Sequence, residues 1–140
     1  MLPLVAGLFV LVEGLDRTGV LQASSQALHE AAQRSAMGTA WGVGTLAAVL
    51  CNLVNNLPAG LLAGAAVAAA KAPESVAGAL LIGIDLGPNL SVTGSLATIL
   101  WLAALRREGL DVGFWQFLKL GALVMPAALL PAIGALMWAG

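Results

Sequence analysis

Residues 82–94 read IGIDLGPNLSVTG, and they lie inside one of the most apolar parts of the chain. VAGALL precedes them from Val76 and SLATILWLAAL follows from Ser95. Asp85, Pro88, Asn89, Ser91 and Thr93 thus fall where a lipid-spanning helix should carry no polar group. Pro88 has no N–H to donate and hinders helix at the residue before it. Gly83, Gly87 and Gly94 permit unusual torsions. The helix over 76–105 is therefore expected to stop near Asp85 and restart between Leu90 and Ser95, with Ser91 as cap and the break at 85–91. Two half-helices would then aim their ends into the bilayer interior, offering free N–H groups from one and free carbonyls from the other. Discontinuous helices of this kind form substrate sites in transporters.

The solvent of the chain follows from composition. Of 140 residues 60% are hydrophobic and 9% charged, against about 25% charged in soluble domains. Such a chain cannot cover a water-facing surface, so an all-α integral membrane protein is expected. A net charge of −1 leaves no footprint for nucleic acid. With a single cysteine, Cys51, a single histidine, His29, and no tyrosine, neither a nucleophile–base set nor a metal cluster can be assembled. The chain is not read as an enzyme, and no cofactor is expected.

Working outward, residues 37–70 carry no charge, too long for one span and short for two. Their middle reads CNLVNNLPAG. Asn52, Asn55, Asn56 and Pro58 make a polar tip at 52–58 between apolar arms, the pattern of a re-entrant hairpin. Pro58 suits the first turn of the returning arm. Gly38/Gly42 and Gly60/Gly64 have the small-residue spacing that brings helices close. Residues 1–21 read as a first transmembrane helix with Glu13 at the interface. Residues 22–36 read as an amphipathic interfacial helix capped by Ser24 or Ser25, with His29 solvated. Residues 113–139 read as a last span, with Trp115 and Trp138 near its ends and Pro126 and Pro131 inside. Arg106 and Arg107 form the densest basic loop and place that loop in the cytoplasm.

An unpaired amide or carboxyl in hydrocarbon costs several kcal/mol, so the two polar interruptions are expected to meet around one hydrated site. Asn55, Asn56, Pro58, Gly87, Pro88, Asn89, Ser91, Thr93 and Ser95 would bind the solute there. Asp85, an intramembrane acid, would carry the proton. Plainer readings stand beside these: the asparagines as glue between helices, the hydroxyls bonded back to their own helix, and Asp85 at the membrane surface. Cys51 reads as a small apolar packing residue.

These residues also carry a family resemblance. IGIDLGPNLSVTGSLATILWLAALRREG, VNNLPAGLLAG, LFVLVEGLDRTG and WQFLKLGALVMP resemble stretches of the C-terminal part of the bacterial arsenite efflux permeases of the ion-transporter superfamily, and the resemblance runs over essentially the whole sequence. The resemblance implies the C-terminal half of an inverted-repeat transporter with a re-entrant hairpin and a discontinuous transmembrane helix. It implies export of arsenite or antimonite across the inner (cytoplasmic) membrane by a multi-pass carrier, driven by proton antiport or by a soluble ATPase partner. The first repeat is not in the sequence, so the chain is expected to be a fragment, or to work with the N-terminal repeat or a second copy. The alternatives are a sodium/proton or other anion carrier of the same superfamily, and a truncated membrane subunit that does not transport. Arsenite at neutral pH is an uncharged trihydroxide, which amides and hydroxyls suit, whereas Cys51 alone cannot form a three-thiolate site.

Overall fold

The computed structural model describes residues 2–140. Met1, the first residue of the expected opening span, lies outside them. Among the described residues all regular structure is helical. The order is α1 (Leu2–Arg17), α2 (Val20–Arg34), α3 (Ala36–Val54), α4 (Asn56–Ala70), α5 (Glu74–Leu86), a short 3-10 turn (Gly87–Leu90), α6 (Leu96–Arg107) and α7 (Phe114–Ala139). α3 and α7 are long and apolar enough to cross a membrane. At about 1.5 Å per residue the 26 residues of α7 extend well past a hydrocarbon core of about 30 Å. Large apolar side chains such as Leu53, Leu81 and Leu123 face outward, as suits a lipid solvent.

The core is built by α3, α5 and α7. Ala40, Ala48, Val76, Ala79, Met125, Leu129 and Ile133 form one buried cluster, and Ala47, Cys51, Leu80 and Ile84 form another. α3 and α5 approach closely because small residues recur every four positions on both. Ala40, Gly44 and Ala48 on α3 meet Ala79 and Gly83 on α5, with Gly87 just beyond its end. A Cβ on Gly83 would collide with the Gly44 carbonyl, and one on Gly87 would sit 2.5 Å from the Ala48 carbonyl oxygen. This is the small-residue interface of membrane helices, but not at the expected glycines. The space beside Gly42 and Gly64 is open, Gly38 meets only Ser35, and Gly60 has just ordinary contact with Ile84. Those pairs point away from the seam.

The helix ends also differ from expectation. α2 starts at Val20, directly after Gly19 with its φ of 80°. The hydroxyl of Ser25 donates back to the Gln22 carbonyl at 2.9 Å instead of capping. His29 is tied down: its Nδ1 bonds the Ala70 carbonyl at 3.2 Å and so pins α2 to the last turn of α4. The carbonyl can only accept, so Nδ1 carries the hydrogen. α5 runs through Asp85 to Leu86, and Gly87 itself is in the right-handed helical region. Glycine lacks the Cβ through which a following proline mainly disfavours that conformation. The interruption therefore begins later than expected and extends to Ser95. Ser95, not Ser91, caps α6, its Oγ accepting from Ala97 N at 3.2 Å.

Candidate functional site

The two interruptions meet. Between α3 and α4 a single residue, Asn55, leaves helical geometry, at φ 72° and ψ 151°. A side chain in that region is strained by about 1–3 kcal/mol. Asn55 compensates locally, its Oδ1 accepting from Leu57 N at 3.3 Å. In an unbroken helix the Asn56 N–H would bond the Asn52 carbonyl. Here it donates to the Gly94 carbonyl at 2.9 Å instead. The Asn52 carbonyl accepts from Thr93 Oγ1 at 3.0 Å. The Thr93 carbonyl accepts from Asn55 Nδ2 at 3.3 Å.

Asn52 is the hub of this exchange. Its Nδ2 donates to the Ala48 carbonyl at 2.7 Å and to the Gly87 carbonyl at 2.9 Å. Its Oδ1 accepts from Ser91 Oγ at 2.8 Å. Nearby, Asn89 Nδ2 donates to the Leu86 carbonyl at 2.9 Å. Backbone groups orphaned by one break are thus satisfied largely by groups of the other. In lipid each of them would otherwise cost several kcal/mol.

The structure joins Asn55, Asn56, Gly87, Ser91 and Thr93 of the expected site in one network. Pro88 is buried beside Gly94, where an added Cβ would lie 2.7 Å from both the Pro88 Cα and Asn52 Oδ1. Pro58 takes the first turn of α4 and Ser95 caps α6; neither hydrogen-bonds to the network. Asn89 is exposed, and its carbonyl lies against α7 at Gly121. Asp85 is exposed on the last turn of α5, with no hydrogen-bond or ion-pair partner among the described residues. It stands outside the network. The side-chain amide of Asn56 is likewise unengaged.

Asn52 was missing from the expected solute ligands, although it belongs to the same polar tip. The signal was its spacing: it continues the four-residue series Ala40, Gly44, Ala48, which marks the face turned toward α5. Two cavities lie elsewhere. One, of about 390 Å³, is lined by apolar residues of α2 to α5, including Leu28, Ala47, Leu62, Ala63 and Leu80. It opens beside the two arms and reaches Val54 and Ala59 near the tip. The other, of about 320 Å³, lies between α2 and the end of α4 at Ser25, His29, Glu30 and Lys71.

Comparison with known proteins gives a consistent picture. The family model described as arsenical pump membrane protein matches residues 2–139. An uncharacterized transporter of Mycobacterium bovis is 41% identical over 46 residues, 33% of this chain and 11% of that protein. The arsenical pump membrane protein of Escherichia coli K12 is 33% identical over 63 residues, 45% of this chain and 15% of that protein. The same name and figures hold for the protein of Shigella flexneri. The matches thus span a small part of these relatives' length. No solved structure matches.

Proposed function

The chain belongs to the arsenical pump membrane protein family, and we propose that it supplies one repeat of an inner-membrane carrier that exports arsenite and antimonite. The observation that carries this reading is the mutual capping of the two breaks, with Asn56 N bonded to Gly94 O and Asn52 bonded to Gly87 O. A polar junction inside an otherwise apolar bundle has a reason to exist if a solute crosses there. On this reading α3 and α4 form a re-entrant hairpin, and α5 and α6 are the halves of one discontinuous span.

The chemistry suits a neutral trihydroxide. Around the junction stand the free amide of Asn56, the outward Asn89, and Thr93, which is exposed. No lysine or arginine is placed on the break or the tip, which weighs against carboxylate or other anion cargo. Asp85, unpaired and exposed at the end of α5, is assigned the coupling proton: it takes a proton as the solute leaves, giving antiport. If the relatives' name holds for this chain, everted vesicles containing it will accumulate arsenite when a proton gradient is imposed. Asn56→Leu should lower that uptake at least about tenfold, the loss of one charge-free bidentate contact. Asp85→Asn should leave arsenite exchange but remove its dependence on the gradient. Uptake indifferent to both substitutions overturns the reading.

A further inference from the structure

The geometry points to Asn52 as the residue that sets the hydrogen-bond polarity of this junction, and so its preference for solutes that donate over anions that accept. The inference rests on the reading that the break residues face the solute. A hydroxyl has one hydrogen. Ser91 Oγ lies within reach of two acceptors, Asn52 Oδ1 at 2.8 Å and Thr93 Oγ1 at 3.1 Å. Thr93 Oγ1 in turn reaches the Asn52 carbonyl at 3.0 Å.

Only one assignment gives both Asn52 oxygens a hydroxyl donor. If Ser91 gave its hydrogen to Thr93, Asn52 Oδ1 would lose its donor. If Thr93 gave its hydrogen to Ser91, the Asn52 carbonyl would lose its side-chain donor, and its helical one already serves Gly94. Asn52 is half-buried, and leaving one of its amide oxygens without that donor costs more than leaving a hydroxyl oxygen without one. Both hydroxyl hydrogens therefore point at Asn52, one at its side chain and one at its main chain. Thr93, the exposed member, meets a solute with lone pairs only.

Asn52 itself touches no solute, because both its amide hydrogens and its carbonyl are engaged. It is a positioning residue. Its closeness depends on Gly94, where any Cβ would lie 2.7 Å from Oδ1. With the hydroxyl donors withdrawn and no cationic side chain on either break, the amides of Asn56 and Asn89 are the side-chain donors that remain, and O–H donors such as neutral metalloid hydroxides are favoured over oxyanions.

The test is equilibrium dialysis of the full chain in lipid nanodiscs at pH 7, with elemental analysis of bound solute. The probes are arsenite and boric acid as neutral trihydroxides, and arsenate and phosphate as oxyanions. The wild-type chain should prefer arsenite over arsenate by at least about tenfold. Asn52→Ala frees the hydroxyl hydrogens and should shrink that ratio to about threefold or less. Thr93→Val, at an exposed position, should weaken the trihydroxides and leave the oxyanions unchanged. A purely structural Asn52 would weaken all four solutes by one factor, and an unchanged ratio in Asn52→Ala overturns the inference. So does Thr93→Val acting equally on both classes. Arsenite and boric acid bound alike, with the polarity intact, would instead overturn the preference for arsenite in the proposed function while the role of Asn52 stands. Binding of none of the four overturns both.

Discussion

α3 treats two of its neighbours, α5 and α4, differently. Toward α5 its backbone is almost in contact, carbonyl against glycine, along Gly44, Ala48 and Asn52. Toward α4, its partner across a one-residue turn, the arms enclose a cavity of about 390 Å³. Nearness in sequence therefore did not decide which helix packs on which. The decisive property is side-chain size on the facing surface, since lipid gives two apolar helices no hydrophobic reason to associate and leaves close packing to do so. The α3–α5 side offers Ala and Gly. The α3–α4 side mixes alanines such as Ala47 and Ala63 with branched residues such as Val43, Leu62 and Val67, and leaves space between them.

The largest effect should come from closing the tight side. Gly83→Leu drives a side chain into the Gly44 carbonyl, and backbone cannot yield as a flexible side chain can. Overpacking costs about 1–3 kcal/mol in ordinary cores and more here. We expect no monodisperse folded protein in detergent, measured by size-exclusion chromatography. Asn52→Leu should follow. It removes the side-chain bonds to the Ala48 and Gly87 carbonyls and the acceptor of Ser91, at about 0.5–1.5 kcal/mol for each bond, and should lower the thermal midpoint by several degrees in a detergent melt.

A sharper form of the comparison uses two neighbouring alanines. Ala48→Leu should destabilise strongly, because Ala48 is fully buried against Gly87. Ala47→Leu points a side chain of the same size into the cavity and should change stability by about 1 kcal/mol or less. Equal damage from both would mean that the arms are not separated as described. The smallest effect is expected from His29→Ala. It removes the bond to the Ala70 carbonyl, worth about 0.5–1.5 kcal/mol, and should be read as faster amide exchange in the last turn of α4.

Much of this architecture was legible in the residues. Pro88 and the tip around Asn55 marked both interruptions, and the uncharged run between Arg34 and Lys71 marked the paired arms. The helix limits were less readable. Ser91 and Ser95 are both plausible caps by type, and only the tertiary demand on Ser91, whose hydroxyl serves Asn52, frees Ser95 for the task. Asp85 was readable as an intramembrane acid but not as a residue apart from the network. Its direction depends on how far α5 continues, and that depends on Gly87 tolerating helix before a proline. The glycine pairs misled for a related reason: spacing of four identifies a possible face, and many such faces existed. Choosing among them required knowing that α3 turns Ala40, Gly44 and Ala48 toward α5.

α6 is held chiefly at its beginning. Ser95 caps it and Gly94 is bonded to Asn56; beyond that, Leu102 is its one buried residue, and it packs extensively on no other helix. Mechanically it is a lever about 18 Å long with its pivot at the junction. A tilt of about 10° would swing its Arg106–Arg107 end by about 3 Å over that length while barely displacing the pivot. Any force applied at the basic end would reach the rest of the molecule mainly as torque on the Gly94–Asn56 bond.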